Sequence, residues 1–157
     1  MQIRIRPAEP RDWPQERELL RQMAQLHNGL RPDLYTPAPK LEAEDYAAVL
    51  ADQEKPVFVA ESADGSIVGH CYCVIYRQER HHTKEARSWL YIDDLCVRED
   101  CRGVGIGRKL IDYAKCFACG EGLAHLELKV TESNAASVAF YEAMGFCTQQ
   151  RIMEMDL

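Results

Sequence analysis

A short glycine-rich segment in the middle of the chain, bordered by basic residues, has the composition of an anion site. Glycines at alternate positions let a ligand approach the backbone closely, and amide groups at the start of a helix attract anions. An apolar run precedes the segment and an amphipathic run follows it, which predicts a strand, a loop and a helix. We therefore expect phosphate groups to bind at Arg102, Gly103, Val104, Gly105, Ile106, Gly107, Arg108 and Lys109.

The spacing of the glycines distinguishes among known phosphate sites. A dinucleotide fingerprint that began at Gly103 would need its third glycine where Arg108 stands, and no lysine followed by Ser or Thr completes a P-loop. The pattern Arg-x-x-Gly-x-Gly at Arg102, Gly105 and Gly107 instead resembles the pyrophosphate signature of the GCN5-related N-acetyltransferase (GNAT) superfamily. The resemblance implies acetyl-CoA as cosubstrate.

A second segment supports the same resemblance. Residues 134–146 are similar to the superfamily pattern N-x-x-A-x-x-F-Y-x-x-x-G-F. Asn134 is a favourable N-cap, and Gly145 suits the left-handed position after a helix. The resemblance implies that Asn134 contributes to coenzyme binding and that Tyr141 protonates the departing thiolate. The alternative for Tyr141 is packing beside neighbouring aromatic rings.

Two adjacent carboxylates, Asp93 and Asp94, interrupt an apolar strand pattern, where aspartate is uncommon. Alternation predicts that they face opposite sides of a sheet, with Asp93 sharing the parity of Leu95 and Val97. The block at 93–97 resembles that of the polyamine (spermidine/spermine) acetyltransferases. We expect Asp93 to bind an ammonium group and take its proton, and Asp94 to assist binding; a structural carboxylate is the alternative.

Family resemblance assigns two further contacts. The backbone of Leu95 and Val97 is expected to hold the pantetheine arm of the cosubstrate. Tyr35 lies in a segment with Pro32, Pro37 and Pro39 that commonly flanks the acceptor in this superfamily. It is a candidate substrate contact, and a plain surface loop is the equal alternative.

Composition limits the class of protein. The 157 residues predict one domain over 1–157, and 46% hydrophobic residues suffice for a core. A net charge of −6 argues against a general nucleic-acid surface, and no apolar run is long enough to span a membrane.

The seven cysteines predict reduced thiols in a cytoplasmic protein. No metal-ligand spacing occurs, and Cys116 and Cys119 are expected to be buried small residues.

The order of elements is predicted as β-α-α-β-β-β-α-β-α-β, an α/β fold with a mixed, mostly antiparallel sheet flanked by helices. The strand over 146–155 is expected to be the last one. Its apolar residues, together with the habits of the superfamily, predict a homodimer. The resemblance also implies that the two parallel strands splay apart near the pantetheine arm.

These features favour an N-acetyltransferase that moves an acetyl group from acetyl-CoA to a primary amine by direct transfer in a ternary complex. A small cationic amine is the expected acceptor because the chain is acidic and carries the Asp93–Asp94 pair. The alternatives are a non-catalytic acyl-CoA-binding regulatory module and an acetyltransferase of protein N-termini or amino acids.

Overall fold

The computed structural model describes residues 2–155, which build a five-stranded sheet and four α-helices. Short 3-10 turns at Pro10–Asp12 and Glu99–Cys101 precede the first and third helices. In chain order the elements are β1 Ile3–Pro7, α1 Trp13–Leu30, α2 Ala43–Ala51, β2 Val57–Ser62, β3 Ile67–Gln78, β4 Arg87–Val97, α3 Ile106–Gly120, β5 His125–Leu128 and α4 Ala135–Ala143.

The sheet follows the chain, with strand order β1-β2-β3-β4-β5. The first three pairings are antiparallel hairpins or neighbours, whereas β4 and β5 are parallel and are joined through α3. This confirms the predicted α/β class and the mixed, mostly antiparallel sheet. Among residues 2–155, no helix is both long enough and apolar enough to cross a membrane.

Helices cover both faces of the sheet. On one face, α1 and α2 bury Leu19, Leu20 and Tyr46 against β2, β3 and β4. On the other face, the apolar stripe of α3, including Leu110 and Ile111, packs on the larger core cluster, and α4 joins this cluster. Side chains alternate across each strand, so every strand of the central hairpin supplies both cores.

Close packing of α3 depends on two glycines. A Cβ at Gly69 of β3 would lie 2.8 Å from the carbonyl oxygen of Cys96 and 3.3 Å from a methyl group of Leu110. A Cβ at Gly107 would lie 3.2 Å from the ring of Phe140 in α4. The third glycine of the loop therefore makes room for α4, so one of the three alternate glycines serves helix packing.

The last predicted strand is wrong within the described residues. Residues 146–155 form no strand there, and Ile152, Met153 and Met155 are between 74% and 87% exposed. Polar contacts place this segment instead, with Gln149 donating to Glu127 and Glu154 pairing with Arg31. A strand needs a partner for its backbone groups, and apolar composition alone does not supply one. The homodimer inferred from this segment stays a prediction.

The cysteines divide into two groups. Cys71 and Cys73 are buried on one face of β3 with their sulfurs 3.6 Å apart, as their alternate positions indicate. Cys116 and Cys119 are exposed on α3, so the expectation that they are buried is wrong. Their spacing places them on the solvent-facing side of the last turn of an amphipathic helix.

We predict that Gly69→Ala lowers the free energy of unfolding by about 1–3 kcal/mol, because its Cβ overlaps fixed backbone at Cys96. Gly29→Ala is the matched control, since Gly29 lies within α1 and a Cβ there meets nothing within 4 Å. This control is expected to gain up to about 1 kcal/mol. Urea denaturation measures both, and an equal response of the two variants would contradict the close approach of α3.

Candidate active site

The glycine-rich loop forms the junction between β4 and α3. Gly103 and Gly105 both have left-handed backbone, at φ 79° and 86°. Gly105 is the N-cap of α3 and carries no side chain that could occupy the first amides of the helix. Since Arg102, Arg108 and Lys109 around it are exposed, the loop combines open helix amides with positive charge, as an anion site requires.

The end of β4 presents backbone groups away from β3. The Arg98 amide donates to the Val68 carbonyl, so alternation in the antiparallel ladder turns the amides and carbonyls of Leu95 and Val97 the other way. On that side β5 pairs with β4 only from Trp89 to Ile92. The two parallel strands therefore stop pairing before Leu95, which leaves polar backbone groups of β4 unpaired by β5.

Side chains of the protein itself form hydrogen bonds with part of this backbone. The Val97 carbonyl accepts hydrogen bonds from Gln22 Nε2 at 3.0 Å and from Arg102 Nε at 3.1 Å. Gln22 Oε1 also accepts from the Glu99 amide at 3.1 Å. Gln22 of α1 thus braces the start of the loop, a role that the sequence did not indicate.

A β-bulge corrects the predicted orientation of the acidic pair. Ile92 lies opposite Cys73 and Asp94 lies opposite Tyr72, so Asp93 is an extra residue without a partner on β3. A bulge interrupts strict alternation. The two carboxylates converge as a result, although Asp94 is buried and Asp93 is about half exposed. The expectation that they face opposite sides is wrong.

An ammonium group lies on this carboxylate pair. Lys40 Nζ is 2.8 Å from Asp93 Oδ2 and 3.2 Å from Asp94 Oδ2. The same nitrogen lies 4.8 Å from the ring centre of Tyr72, a cation–π contact. Burial acts to lower the pKa of Lys40, but the charges of Asp94 and Asp93 outweigh it and raise the pKa. The site therefore stabilises a primary ammonium.

Behind Asp94 lies a buried histidine. His70 is fully buried, with Nδ1 3.0 Å from Glu16 Oε2 and Nε2 3.5 Å from Asp94 Oδ1. Neither ring nitrogen has hydrogen-bond geometry with a partner among residues 2–155, so both contacts are ion pairs. These contacts form a row of four charged side chains, Glu16, His70, Asp94 and Lys40. At its Glu16 end, Tyr72 Oη donates a hydrogen bond to Glu16 Oε2 at 2.9 Å.

Opposite charges set the protonation of this row. Burial acts to lower the pKa of His70, but Glu16 and Asp94 outweigh it and raise the pKa to about 9. Burial acts to raise the pKa of Asp94, and the cations His70 and Lys40 reverse this and hold the pKa at about 2. At neutral pH the row alternates in sign: Glu16, His70, Asp94, Lys40.

The second motif folds as expected. Asn134 caps α4, with its Oδ1 accepting from the Ser137 amide at 3.2 Å, and Gly145 follows the helix at φ 91°. The Tyr141 ring packs on Phe140 and Phe146 and contacts the larger core cluster. Burial, followed by the nearby Cys71 and Asp94, raises the pKa of Tyr141, so its phenol stays protonated.

The other candidate, Tyr35, packs on His27, with ring centres 5.1 Å apart and the rings tilted by 37°. Lys40, His70 and Glu16 were missed by sequence reasoning. Glu16 left a signal, because it shares the apolar stripe of α1 with Leu19 and Leu20, and His70 left one as a polar residue within the apolar run of β3.

A mixed sheet whose parallel pair stops pairing beside a glycine-rich loop at a helix start is the arrangement of acyltransferases that use coenzyme A thioesters. The chain belongs to the acetyltransferase (GNAT) family, whose profile matches residues 20–146. Members of this family take their acetyl group from acetyl-CoA.

Two curated enzymes are similar to this chain over different shares of their length. The chain is 38% identical over 95 residues to streptothricin acetyltransferase of Streptomyces lavendulae, covering 60% of this chain and 46% of that enzyme. It is 28% identical over 130 residues to aminoglycoside N(6′)-acetyltransferase type 1 of Stenotrophomonas maltophilia, covering 83% and 81% of the two chains. The chain thus spans less than half of the first enzyme and most of the second.

A solved structure agrees with the fold over almost the full length. The crystal structure of a tetramutant of the BH1408 protein of Bacillus halodurans superimposes with a TM-score of 0.94 at 26% identity. The match covers 98% of this chain and 99% of that one. The architecture described above is therefore that of an experimentally observed protein.

The raised pKa of His70 predicts a specific dependence of stability on pH. A folded pKa of about 9 against an ordinary value of 6.5 stabilises the fold fully below about pH 6.5, and this contribution is lost as the pH rises through 9. The free-energy gap between the parent and His70→Gln should therefore shrink by on the order of 3 kcal/mol over that interval. Denaturation at several pH values measures it, and a constant gap would contradict an imidazolium at this position.

Proposed function

We propose that this protein is an N-acetyltransferase that moves an acetyl group from acetyl-CoA to a small molecule bearing a cationic primary amine, by direct transfer in a ternary complex. One observation carries the proposal: Asp93, Asp94 and Tyr72 converge on a single ammonium group where β4 separates from β5. The resemblance of the 93–97 block to polyamine acetyltransferases supports a small cationic acceptor. Relatives named for acetylation of streptothricin and aminoglycosides support a small-molecule acceptor.

The residues present fit acetyl-CoA. When bound, acetyl-CoA supplies an activated acetyl thioester. The left-handed Gly103 and Gly105 keep side chains away from the first amides of α3, and Arg102, Arg108 and Lys109 add the charge that a pyrophosphate needs. The outward amides of Leu95 and Val97 offer hydrogen bonds to an extended arm beside the end of β4 that β5 leaves unpaired. Asn134 serves this site indirectly, since its side chain caps α4.

Asp93 and Asp94 have different roles in binding and deprotonating the amine. Asp94, with its pKa near 2, stays ionised and attracts the ammonium but is a weak base. Asp93 is about half exposed, so it can accept the amine proton and pass it to water. Tyr72 offers its aromatic face to the same cation. Tyr141, kept protonated by burial, donates its phenolic proton to the sulfur that leaves.

A panel of amines assayed for thiol release and by mass spectrometry tests the proposal. Primary amines that are cationic at neutral pH should be acetylated in preference to neutral amino acids and peptide N-termini. Asp93→Asn should lower kcat/KM and shift its acidic limb if Asp93 takes the proton, or raise KM alone if it only binds. Asp94→Asn is the paired variant and should raise KM. An inert panel, or preferential acetylation of peptides, would overturn the proposed acceptor class.

The loop predicts a test of acetyl-CoA binding. Gly105→Ala places a Cβ on left-handed backbone at a cost of about 1–2 kcal/mol and should tilt the loop away from its ligand. Calorimetry should show affinity for acetyl-CoA reduced about tenfold or more. Gly65→Ala is the matched control, because Gly65 has φ 83° in the β2–β3 turn and equally open surroundings. Equal affinity of the two variants would remove the loop from the site.

The role of Tyr141 predicts a separate kinetic result. Tyr141→Phe keeps the packing on Phe140 and Phe146 and removes only the acid, so turnover should fall by about 10²- to 10⁴-fold while acetyl-CoA affinity is retained. Tyr76→Phe, which removes a phenol from the outer part of β3, is the control. Parent-like turnover of Tyr141→Phe on the best amine would return Tyr141 to a packing role.

A further inference from the structure

We propose that Lys40 is an internal ligand of the acceptor-ammonium site, and that an acceptor must displace its side chain before transfer. Lys40 then determines specificity, since only a molecule with a cation of the same kind can take its place. This inference rests on the proposed function, because it concerns the site where the acceptor amine binds. In the absence of an acceptor, the Lys40 ammonium occupies that site.

Lys40 makes the contacts that a binding site makes with an ammonium ligand. Two carboxylate oxygens lie 2.8 Å and 3.2 Å from Nζ, and the Tyr72 ring centre lies 4.8 Å away. Carboxylates from a strand and an aromatic face from the neighbouring strand enclose one ammonium from two sides. A primary ammonium on a flexible alkyl stem is therefore the chemical class that the site accepts, and Lys40 carries that same group.

Lys40 is held in a way that permits exchange. It lies in the connection between α1 and α2, where residues 31–42 form neither helix nor strand, and its side chain is 36% exposed. The buried ion pair between Arg6 and Asp12 is a contrast, because its side chains are 7% and 4% exposed and joined by two hydrogen bonds. An exposed stem on an irregular segment can swing out, whereas the Arg6 pair is fixed in the fold.

Electrostatics require a cation as the replacement. Asp94 is buried between His70 and Lys40, and Asp93 adds a second negative charge at the mouth of the site. Removal of Lys40 without a substitute would leave the buried Asp94 with His70 alone. A neutral acceptor cannot restore the balance, but an alkylammonium can. The site is thus selective for charge before any contact with the rest of the acceptor.

Kinetics of Lys40→Met test the displacement. Methionine keeps an unbranched stem of similar length and removes the charge. If Lys40 occupies the carboxylate pair nine-tenths of the time, its removal should lower KM for cationic amines about tenfold and raise kcat/KM by the same factor. Lys55→Met is the matched control, because Lys55 pairs with Asp52 after α2, apart from the acceptor site. An unchanged or higher KM in Lys40→Met would overturn the inference.

A second measurement does not depend on activity. An amine-acylating reagent followed by peptide mass spectrometry reports how freely each lysine reacts, and an ammonium held by carboxylates reacts slowly. Lys40 should be labelled more slowly than the exposed Lys129 in the parent protein. Asp93→Asn should accelerate the labelling of Lys40 and leave that of Lys129 unchanged. Labelling of Lys40 as fast as Lys129 in the parent would overturn the inference.

The two measurements separate the two proposals. An inert amine panel would overturn the proposed acceptor and, with it, the displacement of Lys40. Active acetylation together with fast labelling of Lys40 would support the acceptor and overturn the occupant.

Discussion

The site depends on the point where β4 and β5 stop pairing. Their parallel ladder ends at Ile92 and Leu128, although β4 continues to Val97. Among residues 2–155, no strand lies beside the outward backbone groups of β4 beyond Ile92, and such groups must be satisfied by water, side chains or a ligand. Gln22 and Arg102 satisfy one carbonyl, at Val97. The remaining amides of this edge are the groups that we propose bind the extended arm of acetyl-CoA.

The bulge at Asp93 lies in the same part of β4, within its ladder with β3. By adding one residue to β4, it turns two neighbouring carboxylates toward a common point and keeps the ladder with β3 intact on both sides. A regular strand would have buried one carboxylate under α1 and left the other on the opposite face. The local irregularity therefore brings both carboxylates to the ammonium of Lys40.

Buried ion pairs keep the charges of this site constant. Glu16 and Asp94 would each be costly to bury alone, and His70 between them compensates both. Because the imidazolium and Lys40 hold Asp94 ionised, the Asp94 carboxylate keeps its negative charge across the physiological range of pH. On the opposite face of the sheet, Gly107 leaves room for Phe140 and thereby positions α4, which carries Tyr141, the residue that we propose as the acid. The two sequence motifs are thus in direct contact.

Local patterns in the sequence determined the glycine loop, the cap at Asn134, the left-handed Gly145 and most strands and helices, because each depends on residues within one or two turns of chain. Tertiary structure alone decided the rest. Lys40 and Asp93 are 53 positions apart, and Tyr72 and Glu16 are 56 apart, so no local spacing indicates their contacts. The failure of the last strand has the same origin, since pairing requires an available neighbour. Alternation misplaced Asp93 because the register with β3, which inserts the bulge, is a property of the assembled sheet.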